Sequence, residues 1–170
     1  MSAAQPRRRS AYWGWHPLRP EWAARVVAET PVRRGDVVVD LGAGDGALTL
    51  PLARRGCRVL AVELHPRRAS TLRERVEGSP VAVLELDVAT FRWPGHPFRV
   101  VANPPYAGVN LLVRRLLGLR QLRSADLVVA EGAARGLARR YAARAELGIR
   151  LPPDAFRNPP PAPARLVRIR

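Results

Sequence analysis

The chain contains no lysine, a single cysteine and no long uninterrupted apolar run, and each absence removes a class of protein. With Cys57 alone, no intramolecular disulfide can form and neither a disulfide framework nor a cysteine-rich zinc site can be built. A reducing cytoplasm fits this best, and no metal is expected. Every apolar stretch is broken by Arg or Pro well short of the roughly 18 residues a membrane span needs. The N-terminus is basic but has no apolar signal core behind it, so no part of the chain is expected to span or cross a membrane. The missing lysine points to a GC-rich coding sequence. That explains the choice of arginine but not the excess of positive charge, 29 basic residues against 14 acidic ones, net +15. Such an excess indicates a polyanionic partner, with nucleic acid ahead of a membrane surface because no basic amphipathic helix is evident.

A chain of 170 residues, 47% of them apolar, has room for one domain with one core. Residues 1–12 are small, polar and basic and read as a flexible arm, with Arg7, Arg8 and Arg9 as candidate nucleic-acid contacts. Residues 13–170 read as a single domain, expected to be a monomer. Short β-rich apolar runs at 37–40, 59–63, 81–86, 98–102 and 127–130 read as buried parallel strands. Helical patterns at 46–54, 66–76, 109–117 and 132–147 lie between or after them, and a further helix is expected from Pro20 to about Thr30. Beyond Leu151 a Pro-rich stretch cannot continue a helix, and 166–169 could supply a last strand. Alternating strands and helices predict a doubly wound, Rossmann-like α/β sheet.

The first strand turns into its helix through Asp40-Leu41-Gly42-Ala43-Gly44-Asp45-Gly46-Ala47, where glycines let a ligand lie against backbone. The same letters satisfy the dinucleotide fingerprint, so spacing alone leaves a nicotinamide cofactor open. Charge separates the two. A pyrophosphate beside Asp40 and Asp45 would meet repulsion of up to about 4 kcal/mol per close pair, whereas the sulfonium and amino groups of S-adenosylmethionine are positive. Glu63 ends the second strand, the usual place for an acid that reaches a ribose diol in either cofactor. Asp87 follows the third strand, where a carboxylate can accept from an adenine amino group while Leu86 or Val88 covers the ring. Singly, each acid is as readily a helix cap or a loop end, but three at successive strand ends suggest a site.

Asn103-Pro104-Pro105-Tyr106 follows the fourth strand directly, and a dehydrogenase needs nothing of this kind there. An adenine amino group is a poor nucleophile because its lone pair is delocalised into the ring. The Asn103 side-chain oxygen and the Pro104 carbonyl can accept its two hydrogens and restore sp³ character, the prolines stiffen the loop, and Tyr106 can stack on a flipped base. Catalysis then needs positioning rather than a general base.

With these residues in place, the chain resembles the ribosomal RNA adenine dimethyltransferase family, and within it the macrolide-resistance methyltransferases that modify an adenine of 23S rRNA. The matching pieces are 40–51, Val62-Glu63-Leu64-His65-Pro66, Leu86-Asp87-Val88, 100–106 and Ala155-Phe156-Arg157 with its following prolines. The resemblance implies S-adenosylmethionine as cofactor, bound by Asp40, Gly42, Gly44, Glu63, Leu64, Asp87, Val88 and Asn103. It also implies ribosomal RNA as substrate, and Phe156 as an aromatic beside the target base, opposite Tyr106. The family's Gly-Gln-His/Asn-Phe-Leu segment near the methionine end of the donor appears here as Gly14-Trp15-His16-Pro17-Leu18, so His16 and Leu18 carry over while Trp15 and Pro17 depart. The family's small C-terminal helical domain is expected to be lacking, and its Gln-Arg motif after the fifth strand is replaced by 131–135. DNA adenine methyltransferases and glutamine methyltransferases share the Asn-Pro-Pro-Tyr loop, and a non-catalytic RNA-binding protein could share the fold, so these alternatives stay open.

Overall fold

The computed structural model describes residues 15–105 and 108–170. The arm 1–12 with Arg7, Arg8 and Arg9, and also Tyr106, therefore lie outside the described residues.

Helix α1 (Pro20–Glu29) starts with proline at its first turn and buries Ala23, Val26 and Val27. It stops at Thr30, whose hydroxyl donates to the Val27 carbonyl at 2.7 Å ahead of Pro31. Then come β1 (Val37–Leu41), α2 (Thr49–Arg54), β2 (Arg58–Val62), α3 (Pro66–Arg75), β3 (Val81–Leu84), β4 (Phe98–Ala102), α4 (Val109–Leu117), β5 (Leu122–Ala130), α5 (Glu131–Arg140), β6 (Ala145–Leu151) and β7 (Ala164–Ile169). They build one seven-stranded sheet in the order β3-β2-β1-β4-β5-β7-β6, in which β7 runs antiparallel to both its neighbours. Apolar residues of α1, α2 and α3 pack on one face, among them Val26, Leu52 and Leu72. Those of α4 and α5, such as Val113, Leu116 and Leu137, pack on the other. The doubly wound expectation therefore holds. Because β1 pairs with both β2 and β4, the direction of winding reverses there and leaves a crevice at the carboxyl ends of the strands.

Two elements differ from the sequence expectation. The helical pattern read over 132–147 ends at Arg140, and residues 145–151 form the edge strand β6. There Ala145, Leu147, Ile149 and Leu151 recur at period two, and the register against β7 slips between Leu147 and Arg150. Gly148 fits that slip because a Cβ would come within 3.2 Å of Leu166. Strand β5 begins five residues before the apolar run at 127 because its first half buries polar groups. Fully buried Asp126 accepts from Arg168 Nε at 2.7 Å on β7, and Ser124 accepts from Arg99 at 2.9 Å. Burial pushes the Asp126 carboxyl up while Arg168 pulls it down.

Candidate active site

A cleft of about 1490 Å³ opens at the carboxyl ends of β1, β2, β3 and β4. It exceeds the roughly 300–1,000 Å³ of an ordinary ligand pocket, enough for a nucleoside-sized cofactor together with a second ring. Asp40, Gly42, Gly44, Glu63, Leu64, Asp87, Val88, Asn103 and Pro104 all line it, as do His16 and Leu18. Residues from well-separated stretches of sequence thus meet in one cavity.

The turn after β1 is tied to β2 by the Gly42 and Ala43 N–H groups, which donate to the Val62 carbonyl at 2.8 and 3.0 Å. Gly44 has a φ of +59° and lies under the Trp15 indole, where a Cβ would stand 3.0 Å from Nε1. Asp40 is buried at the floor and accepts the Thr49 hydroxyl at 2.6 Å. Burial pushes its carboxyl up to about 7, helped by the Glu63 charge and opposed by Thr49. Glu63 is 4% exposed, and its Oε2 accepts the Gly44 N–H at 2.8 Å. Its Oε1 accepts the His65 N–H at 2.8 Å and Arg68 Nε at 3.1 Å. Asp87 is exposed, accepting the Ala89 N–H at 2.8 Å as the cap of a short 3-10 turn, Val88–Thr90.

The acidic loop is less negative than its letters suggest. Arg157 spans both Asp45 oxygens at 2.7 Å and Arg75 lies 3.6 Å away, so that charge is neutralised. Glu63, which accepts the Gly44 N–H, is likewise paired, to Arg68 at 3.1 Å.

Residues 15–18 are strapped across the cleft mouth. The Asn103 side-chain amide donates to the His16 carbonyl at 2.8 Å, and Asn158 donates to the Trp15 carbonyl at 2.9 Å. His16 Nδ1 meets the Asn158 carbonyl at 2.7 Å, and the Arg157 N–H donates to the Pro17 carbonyl at 2.8 Å. Leu18 and Phe156 form a β-bridge. Phe156, expected beside the target base, is instead fully buried, edge-on to the His16 ring at 6.5 Å, because the bridge to Leu18 draws Ala155 and Phe156 inward. Pro104 is buried and Pro105 half-buried.

Sequence reasoning gave no site role to Trp15, Arg68 or Arg157. The guanidinium groups of Arg68 and Arg157 lie 5.1 and 5.9 Å from the Trp15 ring centre. Trp15 was visible only as a departure from the family's segment and Arg157 only within a matching stretch, whereas nothing in the sequence distinguishes Arg68 among 29 basic residues. Leu111 and Arg115 of α4 also line the cleft, Leu111 being 71% exposed.

A glycine turn at a β1–α2 junction, an acid at the end of β2 and a large cleft at the winding reversal define a Rossmann-like nucleoside-cofactor site. The family model described as ribosomal RNA adenine dimethylase matches residues 19–153, and the chain belongs to that family. It is 37% identical over 106 residues to the mycinamicin-resistance protein MyrB of Micromonospora griseorubida, a match covering 62% of this chain and 33% of that one. It is 30% identical to the ribosomal RNA small subunit methyltransferase A of a Synechococcus species, over 96% of this chain and 67% of that one. The crystal structure of the 23S rRNA methyltransferase ErmE superimposes with a TM-score of 0.82 at 27% identity, over 91% of this chain and 69% of that one. The matched stretch spans about a third of the length of MyrB and of the rRNA adenine N-6-methyltransferase of Saccharopolyspora erythraea.

The family and the methyltransferases of this fold imply S-adenosylmethionine as the cofactor. The residues fit it: a glycine turn that admits a ligand to the backbone, a nearly buried acid beside that turn and an apolar rim at Leu64 and Val88.

Proposed function

We propose that the chain methylates the exocyclic N6 amino group of an adenine in ribosomal RNA, in the manner of the 23S rRNA enzymes that confer macrolide resistance. The observation that carries this reading is Asn103 and Pro104 standing at the end of β4, in the same cleft as Glu63 and the glycine turn. Because Asn103 Nδ2 is engaged by the His16 carbonyl, Oδ1 is the atom it can offer to an amino group.

Bound S-adenosylmethionine supplies a methyl group on a positively charged sulfur, a good leaving group that needs no acid. Glu63 would hold the ribose diol and Asp87 would accept from the donor's adenine amino group, with Leu64 and Val88 lining that part of the cleft. Asp40, Gly42, Gly44, His16 and Leu18 shape the methionine end. Asn103 Oδ1 and the Pro104 carbonyl accept the two hydrogens of the target amine, turning its lone pair out of the ring and toward the methyl group. Tyr106 supplies the stacking surface for the flipped base. The methylated amine would be an acidic ammonium whose proton can leave to water, so the chain needs no general base before attack. We place this chemistry in the cytoplasm, in a monomer with residues 13–170 as one domain. No helix of the described residues is long and apolar enough to cross a membrane.

Tritium transfer from labelled S-adenosylmethionine into separated 23S and 16S rRNA, DNA and protein tests the reading. Label in N6-methyladenine of 23S rRNA is the expected outcome. Label confined to protein glutamine or to DNA would overturn it.

A further inference from the structure

The described residues contain a second concentration of charge that the cleft chemistry does not use. Glu131, the first residue of α5, collects three guanidinium groups: Arg135 at 2.9 Å, Arg150 at 2.9 Å and Arg165 at 3.6 Å. One carboxylate against three arginines leaves a local charge of +2. Hydrogen bonds from Arg150 and Arg135 hold the Glu131 carboxyl below its usual range, so it stays ionised and keeps the arginines gathered. The pairs tie the start of α5 to β6 and β7, but one carboxylate cannot balance three guanidinium groups, so positive charge is left over at the surface. Arg135 and Arg150 are more than half exposed, at 58% and 55%. Each engages Glu131 through one nitrogen, Nη2 of Arg135 and Nε of Arg150, so most of the N–H donors of each fork remain for another acceptor.

The place of the cluster in the sheet gives it a direction. Glu131 follows the last residue of β5, while Arg150 and Arg165 are register partners near the adjoining ends of β6 and β7. All three strand ends lie on the edge of the sheet where the cleft opens. Ala102 pairs with Leu127, so Glu131 stands one strand over from Asn103 and three residues further out, about 10 Å along the strand direction. The cluster therefore rises beside the acceptor end of the cleft, on the side away from Asp87.

We propose that Arg135, Arg150 and Arg165, gathered by Glu131, are a phosphodiester-backbone contact that holds the RNA strand whose adenine enters at Asn103. Guanidinium forks match phosphate oxygens in shape and charge, and a contact outside the cleft fixes register without reading sequence. This rests on the RNA reading of the cleft and names the surface that would serve it.

The test uses the full chain, with an oligouridylate of about 20 nucleotides as the backbone probe and 23S rRNA as the methyl acceptor. In R135Q/R150Q/R165Q the slope of log affinity against log salt for the probe should fall by about 2, at about 0.7 for each phosphate no longer neutralised. Turnover at saturating rRNA and S-adenosylmethionine affinity by calorimetry should be unchanged, the latter also reporting that the variant is folded. R135K/R150K/R165K, which keeps the charge, should recover most of the slope. A glutamine variant that binds S-adenosylmethionine normally and shows the wild-type slope would overturn the proposal while leaving the cleft reading intact. Failure of the wild-type chain itself to bind or methylate RNA would overturn both.

Discussion

The Asn103 side-chain amide hydrogen-bonds the main-chain oxygen of His16 at 2.8 Å, so the loop at the end of β4 and the strap over the glycine turn are held by one side chain. Asn103→Ala should therefore do two things of different size. Losing a positioned acceptor should lower turnover by about 10²-fold or more, while losing the strap's hydrogen bond should weaken donor affinity by no more than about tenfold. Single-turnover rates alongside calorimetric titration separate them, and equal losses would show that Asn103 acts only by holding the strap.

Glu63 and Asp87 should both matter for donor binding but differ in stability. Replacing either with Ala removes a charge-assisted hydrogen bond of roughly 1.5–3 kcal/mol from the bound state. Glu63→Ala also strips the Gly44 and His65 N–H groups of their acceptor, whereas Asp87→Ala loses one exposed cap worth about 1 kcal/mol. Melting curves should place Glu63→Ala well below Asp87→Ala. Wild-type donor affinity in both variants would remove these acids from the site.

Asp40 gives a pH-dependent stability with a definite sign. Its carboxyl is raised from 3.8 to about 7 by burial. The folded chain thus binds more protons there than the unfolded one, and stability is lost as pH rises from about 4 through about 7. Asp40→Asn can still accept from Thr49 but has no proton to lose. Its stability relative to wild type should climb by a few kcal/mol across that window and level off above it. Urea denaturation at stepped pH measures the difference, and parallel curves would mean Asp40 stays ionised throughout.

Gly46 should tolerate no side chain. Its φ is +98°, and a Cβ would stand 2.6 Å from Leu72 Cδ1, in a residue that is itself fully buried. Gly46→Ala should cost about 2 kcal/mol or more, combining backbone strain with overpacking. A denaturation midpoint equal to wild type would show that the turn can rearrange.

Much of this molecule is written in neighbouring residues. Strand β4 and helix α4 appear in the sequence at their observed bounds, because a β-branched run and a 3.6-residue apolar period are local properties. The same holds for the glycine turn after β1, Glu63 after β2 and Asn103 after β4, since in a parallel sheet functional residues follow strand ends directly. Edge strand β6 was less legible because its alternation follows α5 without a break in composition, and only pairing with β7 selects strand over helix. The first half of β5 was hidden by Ser124 and Asp126, whose burial is tolerable only because Arg99 and Arg168 arrive from other strands.

What only the tertiary structure decided is which charges meet. Asp45 and Arg157 are 112 residues apart, and Glu131 at the start of α5 finds Arg150 on β6, so no local pattern can assign either pair. The same long-range pairing took Phe156 into the core and set Trp15 over Gly44. Backbone propensity and turn chemistry act over a few residues. An arginine's partner is chosen by distance in space, and in a chain with 29 basic residues and 14 acidic ones that choice exists only after folding.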